Sequence, residues 1–146
     1  MYDRYQDLLA AFARANQLDA DMLTQTQAFE LDGLSVGLAF EGEGGEADLV
    51  CFCDLGQPLP ERAAEVFKDM LEANHFWLGT GGATLGLQSA TGNVMLALRT
   101  PLAVLGIEGL AALLKLFTKV ASFWARHLRS DTGQGSGVLH FPAVAL

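Results

Sequence analysis

The run Gln27-Ala28-Phe29-Glu30-Leu31-Asp32-Gly33-Leu34-Ser35-Val36-Gly37-Leu38-Ala39-Phe40 decides the fold. Phe29 and Leu31 are two apart, so they share one face of a short strand over residues 27–31. Asp-Gly between two apolar runs is a strong signal for a two-residue hairpin, because both central positions need positive φ. Beyond it Leu34, Val36, Leu38 and Phe40 alternate with smaller residues, the period of a half-buried strand. Glu41, Glu43 and Glu46, interleaved with Gly42, Gly44 and Gly45, form an acidic turn. Residues 47–55 are apolar on both faces, which predicts a central strand.

Helices flank this sheet. Tyr5, Leu8, Leu9 and Phe12 recur at helical spacing, so residues 3–15 read as a helix, with Asp3 and Gln6 as a loose capping box. Residues 16–25 are polar and read as a connection. Pro58 and Pro60 punctuate the chain before a second helix, with Pro60 suited to its first turn. Ala63, Val66, Phe67, Met70 and Leu71 form its stripe, and Asn74 is a C-cap candidate. Residues 82–88 and 93–100 read as a second hairpin around a loop at 89–92. Leu85 and Leu87 alternate in its first strand, and Val94, Leu96 and Leu98 in its second.

The longest helix runs over residues 107–128. Its stripe comprises Leu110, Leu113, Leu114, Phe117, Val120, Ala121, Trp124 and Leu128. Leu116 and Phe123 widen the apolar arc to roughly half the circumference, so the helix is expected to be covered from two directions. The order is α-β-β-β-α-β-β-α, which predicts an α+β domain over residues 1–129 with an antiparallel sheet packed by helices. Residues 130–137 form a Gly/Ser-rich linker, and 138–146 an apolar tail. The tail reads as an extended strip able to dock on a groove of its own subunit or a neighbour.

Composition excludes several functions. Hydrophobic residues make up 51% of the 146 and charged residues 18%, more apolar material than one such domain needs. Net charge is −8. Nine basic residues supply no nucleic-acid footprint and no attraction to an anionic membrane surface. The charge is uneven: residues 1–75 hold fifteen Asp/Glu against four Lys/Arg, and residues 76–146 two against five. Residues 1–6 are polar and Asp7 follows, unlike a signal peptide. The apolar stretch 102–128 is interrupted by Glu108, Lys115, Lys119 and Arg126, so membrane insertion is not expected.

Signatures of catalysis are thin. His75, His127 and His140 are scattered, without metal-ligand spacing. No nucleophile elbow is present. Cys51 and Cys53 fall on one face of a strand, a spacing poor for a mutual disulfide, and are expected as reduced core thiols. The close carboxylates Asp19 with Asp21, and Glu41 with Glu43, read as solvated charge. The loop at residues 79–86 is rich in glycine, but it lacks the lysine of a P-loop and follows a helix rather than a strand. No catalytic residue, metal or cofactor is expected.

The run Met70-Leu71-Glu72-Ala73-Asn74-His75-Phe76-Trp77-Leu78-Gly79-Thr80-Gly81-Gly82-Ala83-Thr84-Leu85-Gly86-Leu87 resembles the helix-to-strand junction of the class I type III secretion chaperones, the Tir chaperone or CesT family. The hairpin strand at residues 94–99, Pro101-Leu102 and the helix from Leu110 through Trp124 continue the likeness, and the element order agrees over about residues 3–129. Gln88 stands where an acidic residue is common, and 130–146 lies outside the usual pattern.

The resemblance implies a cytoplasmic bacterial homodimer without ATPase activity. It further implies binding of a secreted effector's N-terminal segment in extended form, and an indirect contact with the secretion ATPase. It places dimerisation on the second helix and the segment after it, where Phe67, Met70, Leu71, Phe76 and Trp77 are the candidates. For the effector, the expected exposed apolar residues are Leu8, Phe12, Phe29, Leu31, Val36 and Leu38. Two other readings remain open: a regulator of the same fold that binds another secretion component, and a small ligand-binding domain built on the glycine loop.

Overall fold

The Asp32-Gly33 hairpin forms as its sequence demands. Asp32 (φ 51°) and Gly33 (φ 78°) both occupy the left-handed region. They join strand β1 (Ala28–Leu31) to β2 (Leu34–Glu43) with Leu31 opposite Leu34 and Phe29 opposite Val36. In a computed structural model of the chain, residues 1–43 and 45–130 are described. The expected tail, and all of the expected linker except Ser130, lie outside the described residues.

Strand β3 (Glu46–Gly56) is central, as expected. It pairs on one side with β2 and on the other with β5 (Val94–Pro101), which in turn carries β4 (Thr84–Leu87) at the far edge. All pairings are antiparallel. Although its sequence is apolar on both faces, only one face of β3 is covered. Ala47, Leu49, Cys51, Cys53 and Leu55 are buried, but Val50 is only half-buried, and Phe52 and Asp54 on the same opposite face are exposed. A Cβ at Gly37 would lie 2.2 Å from the Phe52 ring, so the ring rests across the bare glycine backbone of the neighbouring strand.

Helix α1 (Tyr2–Ala15) begins one residue earlier than expected. Its N-cap is Met1 without a side-chain bond, and Gln6 donates to the Tyr2 hydroxyl instead of closing a capping box with Asp3. The polar connection also contains a helix, α2 (Ala20–Thr26), capped by Asp19, whose carboxylate accepts from the Met22 N–H at 2.9 Å. Seven residues with one buried side chain, Leu23, leave no stripe to read in the sequence.

Helix α3 (Ala63–Asn74) follows a 3-10 turn at Pro60–Arg62, and α4 (Ile107–Arg129) closes the fold. Helices α1 and α4 pack together over the buried sheet face, with Tyr5, Leu9, Phe117 and Trp124 among the largest sealed side chains. All eight residues of the expected α4 stripe are buried, while Leu116 and Phe123 are half-buried beside them. Polar clamps fix the helices. Arg4 donates to the carbonyls of Leu102, Ala103 and Leu105, and His127 meets Asp69 at 2.8 Å between α4 and α3. Buried Arg62 donates to the Ser130 carbonyl at the end of α4.

Candidate functional site

The glycine loop is used up by packing. Gly79, Thr80 and Gly81 are buried. The Gly79 N–H donates to the Ala73 carbonyl and its own carbonyl accepts from the Trp124 indole, each at 3.0 Å. Asn74 is the last residue of α3 rather than its cap. Its side-chain amide donates to the Leu85 carbonyl and accepts from the Leu85 N–H, both at 2.9 Å, standing in for a paired strand at the β4 edge. These bonds commit the loop backbone to α3 and α4. That arrangement disfavours the ligand-binding reading of the loop, because a phosphate cradle needs its N–H groups directed at the ligand.

The segment after α3 displays a different feature. Leu71 is 73% exposed, Phe76 75% and Trp77 52%, with Leu78 and Leu87 also open. Phe76 (φ 49°) and Trp77 (φ 55°) are consecutive bulky residues in the left-handed region. Such a conformation costs on the order of 1 kcal/mol or more per residue and persists where surrounding structure holds it. Here it results in two aromatic rings held at the surface. Of the five residues expected for pairing, Leu71, Phe76 and Trp77 lie on this surface. Phe67 is half-buried against the core, and Met70, at 5% exposure, is core.

A second apolar surface follows the opposite edge of the sheet. In a two-residue hairpin the flanking residues form the hydrogen-bonded pair, so Leu31 and Phe29 bond to β2. The alternation then turns the N–H and C=O groups of Ala28 and Glu30 to the free edge, where the Thr26 hydroxyl donates to the Ala28 carbonyl. Three open depressions of about 430, 490 and 410 Å³ surround this edge and share wall residues. The first lies between β1, α1 and α4, with Phe12, Phe29 and Leu31 in its wall. The second lies between β1 and α2, under Leu18 and Met22. The third opens on the uncovered sheet face at Phe52 and Met95.

Of the residues expected to meet a partner, Phe29 and Leu31 line the groove and are half-buried rather than exposed. The expectation that the other four are exposed is corrected: Leu8, Phe12, Val36 and Leu38 are each at most 8% exposed. The alternation that marks a half-buried strand identifies apolar residues facing the protein, and these side chains fill the core. Phe12 and Leu38 still reach the groove wall, and the Phe12 ring lies 6.1 Å from that of Phe29. Leu18, Met22 and Phe52 escaped the sequence reading. Leu18 and Met22 flank or belong to a helix without an apolar period, and Phe52 reads as an ordinary apolar residue of a central strand.

Both cysteines are free and buried. Burial pushes the Cys51 thiol up to about 12 and, with Asp54 and Glu30 nearby, that of Cys53 to about 11. The thiolate is the reactive species. Neither thiol is therefore expected to react with a chromogenic disulfide reagent at pH 8 in the folded protein, and both are expected to react in denaturant. Rapid native labelling would contradict this. Among the described residues no helix is long and apolar enough to cross a membrane, and no three His, Cys, Asp or Glu side chains gather as metal ligands.

The architecture recurs in solved complexes. A chain of the ExsC–ExsE complex superposes with a TM-score of 0.72 at 23% identity, covering 89% of this chain and 97% of that one. The Yersinia pestis type III secretion chaperone SycH, solved with a stable fragment of YscM2, gives a match of TM-score 0.61 at 22% identity over 82% of this chain and 98% of that one. The HopA1–SchA chaperone–effector complex gives 0.58 at 16% identity, covering 86% and 92%. At these identities the likeness concerns the fold. No curated protein matches the chain at a significant level. The family model described as Tir chaperone protein (CesT) matches residues 7–125, from the first helix through the last, and the chain belongs to that family.

Proposed function

We propose that this protein is a cytoplasmic type III secretion chaperone that acts as a homodimer and holds the N-terminal segment of a secreted effector in extended form. The observation that carries this reading is the groove along the unpaired edge of β1. An extended peptide gains main-chain bonds from a free strand edge and seats alternate side chains in flanking pockets. The exposed Leu71, Phe76 and Trp77 support self-association through α3 and the segment after it, because apolar aromatic clusters of this kind characterise interface centres.

The role needs no catalysis. Keeping a segment unfolded requires only that groove and edge compete with the segment's own collapse, and the acidic surface keeps the complex soluble. Delivery to the secretion ATPase would follow from the bound segment remaining unfolded. Limited proteolysis of the chain co-expressed with an effector, read by mass spectrometry, tests the reading. A single protected stretch near the effector's N-terminus is expected. Cleavage throughout that region at the rate of the free effector would contradict it.

A further inference from the structure

We infer that the β1 groove selects an extended segment in which apolar residues alternate with lysine or arginine, and that Glu30 and Asp32 are its specificity-determining residues. The inference rests on the reading of the groove as a polypeptide site and adds the chemistry of its occupant. By strand alternation Phe29, opposite buried Val36, and Leu31 face the helical side of β1, whereas Glu30 between them, opposite exposed Ser35, faces the other side. A strand laid beside β1 carries the same two-residue alternation. Its apolar side chains then fall beside Phe29 and Leu31, and its intervening side chains fall beside Glu30.

The charges of the groove have one dominant sign. Asp19, Glu30, Asp32 and Asp54 stand in its wall, against one cation, Lys115. Asp19 and Asp54 are partly committed, the former to the α2 N-terminus and the latter to the Gly56 N–H and the Asn93 amide. Glu30 and Asp32 make no side-chain hydrogen bond or ion pair among the described residues, and both are exposed. An acidic occupant would meet like charges across the pairing distance, which is destabilising, whereas opposite charges directly across strands attract. The groove therefore discriminates by repulsion as well as by attraction.

The test uses three fluorescein-labelled ten-residue synthetic peptides with identical leucine and valine positions. Their intervening positions are all lysine, all glutamine or all glutamate. Binding to the full-length protein is followed by fluorescence anisotropy at low salt. The lysine peptide is expected to bind at least tenfold more tightly than the glutamate peptide, with the gap narrowing at high salt. E30K/D32K is expected to reverse the order, and E61K, a charge reversal outside the groove, to preserve it. Equal affinities for the three peptides, or an order unchanged in E30K/D32K, would overturn the charge preference while leaving the groove a peptide site. Failure of all three peptides to bind would overturn the groove itself.

Discussion

Trp124→Ala is expected to lower the unfolding free energy by about 3–5 kcal/mol, the usual cost of emptying a large aromatic site in a core. Trp124 is fully buried on α4, and its indole donates to the Gly79 carbonyl beneath the glycine loop. Removing it opens a cavity and strands that carbonyl. Trp124→Phe retains much of the volume and loses the bond, so it should cost less, on the order of 1–3 kcal/mol. Denaturant midpoints of the two variants against the parent measure both effects. Near-parental stability of Trp124→Ala would show that the loop is not anchored through α4.

The second large effect concerns self-association. L71D/F76D is expected to convert the protein to monomers without unfolding it. Hot-spot side chains each contribute about 2 kcal/mol or more to an interface, so the pair should weaken association by roughly 1,000-fold. Both side chains are largely exposed within one chain, so their replacement leaves the core intact. Aspartate also tolerates the left-handed backbone at position 76 better than phenylalanine does. Sedimentation velocity together with circular dichroism separates dissociation from unfolding. An undiminished sedimentation coefficient would move the pairing surface elsewhere.

Elements with strong local signals could be read directly. The Asp32-Gly33 turn, the alternation through Phe40 and the α4 stripe each combine a period with a stop, and each lies where expected. Helix α2 was hidden because its one buried residue, Leu23, gives no period. The uncovered face of β3 was hidden for another reason. Val50 and Phe52 look like core residues, and whether a layer lies over them depends on where the helices go.

The site was harder to read than the fold. Alternation selects residues that face inward, so Leu8 and Val36 are core instead of groove, and Leu38, though buried, reaches only the wall of the third depression. Phe29 and Leu31 reach the groove because β1 is an edge, and edge position follows from strand order, which is a non-local property. Phe76 and Trp77 were legible through the family junction alone, and Leu71, which periodicity put in the α3 stripe, is exposed. No periodicity marks an aromatic pair held in the left-handed region.

Light scattering after gel filtration, applied to the chain co-expressed with a candidate effector, addresses the central claim most directly. A single species with the mass of two copies plus one effector is the expected result. A one-copy mass, with the effector eluting separately, would contradict the account.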